Sequence, residues 1–150
     1  MTLVDTEPPH PPVVVDERSV GEADLGEWGW VWQDLSIAGL IGGKKVAEAW
    51  MTADPLPATL ELRADAGTLE RFESVRLMVR ALDQAGNKLP FLFDSVSISV
   101  NGPARLIGPE KVPLRGGSAG FWLVGTGEGQ IEVTVTHPRL DAAKVSLVSE

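Results

Sequence analysis

Apolar and polar residues alternate one for one along most of the chain from Thr59 onward, and nowhere does the three-to-four spacing of an amphipathic helix appear. Leu60, Leu62 and Ala64 alternate with Thr59, Glu61 and Arg63, the pattern of a strand with one buried face. After a charged loop from Asp65 to Glu73, with Leu69 tucked beneath it, Val75, Leu77 and Val79 alternate with Arg76, Met78 and Arg80 up to Leu82. Asp83-Gln84-Ala85-Gly86-Asn87 reads as a turn, because Asp bonds nearby backbone N–H groups and Gly86 or Asn87 accepts a positive φ. Val96, Ile98 and Val100 then face inward while Ser95, Ser97 and Ser99 face out. Asn101-Gly102-Pro103 forms a corner before a short strand, Ala104 to Ile107. A Pro/Gly-rich loop from Gly108 to Gly117 leads to Ala119, Phe121 and Leu123, and Gly125 to Gly129 turns the chain into Ile131, Val133 and Val135. His137-Pro138 turns it once more, toward a last strand with Val145 and Leu147.

About seven strands with a turn every ~8–12 residues is the signature of an all-β protein, an immunoglobulin-like antiparallel β-sandwich. The stretch before it has a different texture. Residues 1–12 are proline-rich and predict an irregular lead-in; residues 13–57 predict a partial upstream β unit with a Trp-rich hairpin and a linker; residues 58–150 are the sandwich. Trp28, Trp30 and Trp32 alternate strictly, so an extended backbone places their rings on one side. Leu35, Ile37 and Ile41 continue the alternation, Gly42-Gly43 supplies a tight hairpin turn, and Val46, Glu48 and Trp50 return. Thr52 to Pro57 carries two prolines and ends the unit. Residues 10–51 make at most three strands, too few to close a sandwich around four tryptophans. The hairpin is therefore expected to fold back on the sandwich, or to dock on an upstream domain or a second chain.

Charge and composition narrow the function classes. The 150-residue chain carries a net charge of −8, which disfavours nucleic acid, since phosphate binding concentrates Lys and Arg. It has no cysteine, which removes disulfides, thiolate metal sites and cysteine nucleophiles. No window approaches the ~20 apolar residues of a membrane span, and the N-terminus lacks the basic and apolar regions of a signal peptide. A soluble protein is expected, cytoplasmic if the chain is complete.

Catalytic chemistry is hard to place. His10 and His137, the two histidines, each precede a proline and read as structural or incidental. Gly116-Gly117-Ser118-Ala119-Gly120 leads into a strand, so no helix N-terminus follows to hold a phosphate. Glu61 and Glu132 lie on solvent faces of strands, and Asp54, Asp65, Asp83, Asp94 and Asp141 lie in turns. No spacing forces two of these carboxyl groups together, as a glycosidase pair requires. Asp83 with Asn87 lacks the alternation and closing Glu of a calcium loop. The expectation is no catalytic centre, no cofactor and no metal. Trp28, Trp30, Trp32, Trp50 and Trp122 form the candidate docking or sugar-contact surface, with core or interface packing as the plainer alternative. Trp122 is one residue out of phase with Phe121 and Leu123 and should be partly exposed.

Two runs carry a family resemblance: GLIGGKKVAEAWMTADPLPATLELRAD and VRLMVRALDQAGNKLPFLFDSVSISVNGPARLIG. Gly43-Lys44, Val46-Ala47-Glu48, Leu60 to Asp65, Asp83, Gly86-Asn87, Pro90, Gly102-Pro103, Leu106-Ile107-Gly108 and the pattern from Gly129 to Leu140 carry it. The sequence resembles the C-terminal immunoglobulin-like region of glycoside hydrolase family 2, β-galactosidase type. His10-Pro11-Pro12 with Val13 to Val15 resembles the strand before it, whereas Asp16 to Trp32 has no counterpart. The resemblance implies a non-catalytic sandwich that supports the catalytic barrel or the oligomer. It also implies catalytic glutamates on an upstream (β/α)8 barrel, with no matching residue here. The expected partner is that catalytic domain or a second chain on the Trp-rich hairpin, with carbohydrate as a further possibility. A carbohydrate-binding module and a bacterial Ig-like adhesion or interaction repeat stand as alternatives.

Overall fold

A computed structural model describes residues 34–150. The lead-in, Val13 to Val15 and the Trp28–Trp30–Trp32 alternation lie outside those residues. The described chain is all strand: β1 (Leu35–Ile41), β2 (Lys44–Met51), β3 (Pro57–Ala64), β4 (Thr68–Leu69), β5 (Ser74–Asp83), β6 (Ser95–Asn101), β7 (Ala104–Ile107), β8 (Lys111–Pro113), β9 (Ser118–Gly125), β10 (Gly129–Thr136) and β11 (Ala143–Ser149). β1 and β2 form a hairpin of their own. The remaining strands form two sheets, ordered β3-β5-β9-β7 and β4-β11-β10-β6-β8.

The alternation read from the sequence decides which side chains meet between the sheets. Leu77, Val79 and Ala81 of β5 and Leu123 of β9 are completely buried, as are Val96 of β6 and Ile131, Val133 and Val135 of β10. Val75, Ile98, Phe121 and Leu147 complete the inner layers. Each fully buried Val or Leu contributes about 1.5–3 kcal/mol relative to exposure. Leu69 of β4 joins the same core, as do Leu89, Leu92 and Leu114 from the connections. The expected tuck of Leu69 under its loop is thus present, and the three serines of β6 are the outward or half-exposed set.

The strand count differs from the seven expected: nine strands lie between Pro57 and Ser149. β8 sits inside the stretch read as a Pro/Gly loop, where Ser95, Val96 and Ser97 pair with Pro113, Val112 and Lys111. Three residues show no periodicity, and Pro113 is tolerated because β8 is a sheet edge. β4 is two residues long and runs parallel to β11, with Thr68 beside Val148 and Leu69 beside Ser149. The sandwich is antiparallel everywhere else in its ladders. β3 begins at Pro57, again on an edge, with an irregular register between Pro57 and Thr59.

Two features tie down the end of the sandwich where β5 finishes. Gly117 lies against the β5–β6 connection: its N–H donates to Leu92 O and its carbonyl accepts from Ala81 N. It has a φ of +74°, and a Cβ there would sit 2.0 Å from Leu89 O. Beside it, Arg139 Nη2 donates to Asp94 Oδ2, and Leu114 N donates to Asp94 O at 2.9 Å. His137 is buried, the structural of the two readings its sequence context allowed. Its Nδ1 accepts from Arg139 N at 3.1 Å, leaving Nε2 to face Asp94 Oδ2 at 3.4 Å. The Arg139 hydrogen bond holds the Asp94 carboxyl below its ordinary value, burial opposing and the Arg139 charge assisting.

Two outcomes follow for stability. Gly117→Ala, strained in φ and colliding with backbone, should destabilise by roughly 2–4 kcal/mol in denaturant unfolding, against less than about 0.5 kcal/mol for an ordinary surface change. Because the folded Asp94 titrates below 3.8, its pairing stabilises above that value and the contribution disappears as pH falls through the depressed folded value. Thermal melts across acid pH should therefore show Asp94→Asn less stable than the parent near neutrality, with the gap closing at the acid end. A gap that stays constant to the lowest pH would contradict the assignment.

Candidate docking surface

The hairpin follows from its turn. Gly42 and Gly43 have φ of +56° and +77°, the left-handed pair of a primed two-residue turn that glycine adopts without strain. Cross-strand partners share a face, so Leu35 lies with Met51, Ile37 with Ala49 and Gly39 with Ala47, while Ser36 lies with Trp50 and Ala38 with Glu48. The register slips between Gly39 and Leu40, where β2 carries one residue more, around Val46. One face is therefore wholly apolar near its base, and the opposite face places Trp50 above a polar cluster. In that cluster Lys45 Nζ meets Glu48 Oε2 at 2.8 Å, and the Lys45 hydrogen bond lowers the Glu48 carboxyl.

Every residue of both hairpin strands is exposed. Leu35, Ile37, Val46 and Met51 are open to solvent, and Trp50 is 50 % exposed. The expected fold-back onto the sandwich is thus not how these strands are arranged. A free two-stranded hairpin is marginal in water. What joins hairpin to sandwich is the linker, through the β5–β6 turn: Asn87 Nδ2 donates to Trp50 O at 2.6 Å and Leu56 N donates to Gln84 Oε1 at 2.9 Å. The same end of the sandwich displays Leu56, Phe91 at 88 % exposure and Phe93 at 63 %. Sequence reasoning missed these two phenylalanines, since a Phe-Leu-Phe run with only its Leu buried shows no strand phase that separates core from surface.

Trp122 lies elsewhere. It stands in a cross-strand row between Ile107 and Arg76 on the outer face of the β3-β5-β9-β7 sheet, and its 47 % exposure agrees with the out-of-phase reading. That row is near the start of β5, whereas Asn87, the residue touching Trp50, follows the end of β5. Trp50 and Trp122 therefore occupy different surfaces, and Trp28, Trp30 and Trp32 lie outside the described residues. The same sheet face gathers arginines: Arg76 Nε meets Asp65 at 2.8 Å, and Arg63 and Arg80 share Glu61 at 2.7 and 3.0 Å.

Five of the seven carboxylates singled out from the sequence have defined partners. Glu61 and Asp65 hold the arginines just named, Glu132 meets Lys144 at 3.2 Å, and Asp94 holds Arg139. Asp83 is buried and accepts from Ala85 N and Asn87 N at 2.9 and 2.8 Å, which is the turn chemistry expected of it. Among the described residues no group of three or more His, Cys, Asp or Glu side chains could hold a metal. No helix among them is long and apolar enough to cross a membrane.

Comparison with known proteins places this architecture. No protein-family model matches the chain. It is 54 % identical over 112 residues to a β-galactosidase of Rhizobium meliloti, covering 73 % of this chain and 15 % of that one. It is 40 % identical over 116 residues to a β-galactosidase of Rhizobium radiobacter, covering 75 % of this chain and 84 % of the relative. The chain thus spans less than a sixth of the length of the first of these relatives. Among solved structures, a β-glycosidase from Bacteroides vulgatus superposes with a TM-score of 0.63 at 20 % identity, over 77 % of this chain and 17 % of that one. The D00-D0 domain of intimin superposes at 0.54 and 14 % identity over 71 % of this chain and 56 % of that one. Those likenesses establish the fold alone; the sequence identities establish the kinship, which agrees with the motifs from Gly43 to Leu140. The chain belongs to glycoside hydrolase family 2, β-galactosidase type, as a part of its C-terminal immunoglobulin-like region.

Proposed function

We propose that this chain is the non-catalytic C-terminal β-sandwich portion of a β-galactosidase-like glycoside hydrolase, and that its hairpin docks on the catalytic portion upstream of it. The observation that carries the first part is the partial match: high identity over most of this chain against a small fraction of a much longer β-galactosidase. The second part rests on the hairpin, whose apolar face of Leu35, Ile37, Ala49 and Met51 is covered by nothing among the described residues. Burying that face would remove aliphatic area worth about 25 cal/mol per Å², which gives a sandwich without reactive groups a means of holding on to a larger body.

The test uses a β-galactosidase relative truncated before the matching region, mixed with the purified chain. Association should be seen by analytical ultracentrifugation, and Ile37→Asp with Met51→Asp should weaken it at least a hundredfold while leaving the chain's own melting temperature within a few degrees. The chain alone should not hydrolyse nitrophenyl galactoside. Hydrolysis at an enzymatic rate would sink the non-catalytic reading, and association indifferent to both aspartates would sink the docking one.

A second reading, carbohydrate contact, is favoured by one observation, the half-exposed Trp122 ring on an open sheet face beside Gly120 and Arg76. Pyranose rings pack on such indole faces. Titration with galactosides followed by tryptophan fluorescence should then saturate, and Trp122→Ala should abolish the change. A flat titration in the parent chain would end this reading.

A further inference from the structure

We infer that the β5–β6 turn is a latch that fixes the attitude of the hairpin on the sandwich, with Gln84 as its bolt and Asn87 as its second catch. The linker from Thr52 to Pro57 carries two prolines, and Leu56 precedes β3, so its backbone groups have little ladder to join. Gln84 meets them instead. Its Oε1 accepts from Leu56 N at 2.9 Å, and its Nε2 donates to Asp54 O at 2.7 Å and to Thr52 Oγ1 at 3.3 Å. Every second linker residue, 52, 54 and 56, thus addresses one carboxamide, and the linker curls around it. Asn87 Nδ2 then donates to Trp50 O at 2.6 Å, one step inside β2, which extends the grip from the linker to the hairpin itself.

The turn is built to hold these two amides still. Asp83 Oδ1 accepts from both Ala85 N and Asn87 N, Asp83 N donates to Asn87 O, and Gly86 N donates to Asp83 O. Asp83 itself terminates β5 and is buried. Gln84 and Asn87 therefore project from a closed loop rooted in a strand whose inward side chains are buried. Turn chemistry alone accounts for Asp83 and Gly86. It does not call for a glutamine at 84, nor for the side-chain amide of Asn87, whose backbone alone serves the turn. Donors are what the linker carbonyls require: of the four contacts, three are N–H groups of Gln84 or Asn87 pointing at an oxygen. A carboxylate of the same shape would set negative charge against Asp54 O or Trp50 O, which makes the isosteric acids the sharpest probes. This latch concerns the module itself and stands whether or not the hairpin docks as proposed above.

The experiment uses the whole 150-residue chain, isotopically labelled, with residual dipolar couplings measured for the hairpin and for the sandwich. In the parent, both sets should fit one alignment tensor. Gln84→Glu and Asn87→Asp, singly and together, should require two tensors, and the Leu56 amide should exchange about tenfold faster in Gln84→Ala, which removes the oxygen that accepts it. Amide exchange at Leu77 and Val79 reports whether the sandwich remains folded and should be unchanged. Two tensors in the parent would overturn the proposal. So would a single tensor with unaltered Leu56 exchange in the variants, since the hairpin would then be held by something else. Accelerated exchange at Leu77 in both single variants would also overturn it, by making the two amides part of the sandwich's own stability.

Discussion

Strand β5 carries the constraint on which everything else in this fold depends. Its period of two forces alternate side chains to opposite sides, and both sides are spoken for. Inward, Val75, Leu77, Val79 and Ala81 form the middle of the core. Outward, Arg76 and Arg80 take up Asp65 and Glu61 from the neighbouring strand and loop. Its two edges are both paired, with β3 on one side and β9 on the other. A slip of one residue would drive two arginines into a water-free interior, at a cost no surface ion pair could offset. Register here is fixed by desolvation, and the turns at either end inherit their positions from it.

This explains how far the sequence could be read. Where burial alternates with exposure, the residues declare themselves: Val96 and Ile98 against their serines, Ile131 to Val135 against Glu132 and Thr134, and Trp122 out of phase with Phe121. The Gly42-Gly43 hairpin was legible too, because positive φ has a residue signature. What escaped were features without a period. β8 is three residues long and β4 two, so no alternation can develop, and both owe their strand character to a neighbour already in place.

The surface was less legible, for a related reason. Exposure of the hairpin is a fact about what surrounds it, and Leu35, Ile37 and Met51 have the same composition whether covered or bare. Gln84 is ordinary in a turn, and only the fold brings Thr52, Asp54 and Leu56 around it. His137 read as structural or incidental because it precedes a proline; its burial and its place beside Asp94 belong to the fold. The kinship with β-galactosidases was legible because it rests on runs of residues rather than on contacts.

The parallel pairing of β4 with β11 has a kinetic meaning. Thr68 and Leu69 lie near the start of the sandwich, and Val148 and Ser149 near its finish. Glu150 N donates to Leu69 O, and Val148 N donates to Gly67 O. That edge cannot form until nearly the whole intervening chain has been arranged, because closing so long a loop loses entropy that only the assembled strands between can repay. As synthesis proceeds, Leu69 should therefore be among the last core residues to find its place, and the loop that bears it would stay open to proteases and chaperones after β5 and its neighbours have already set.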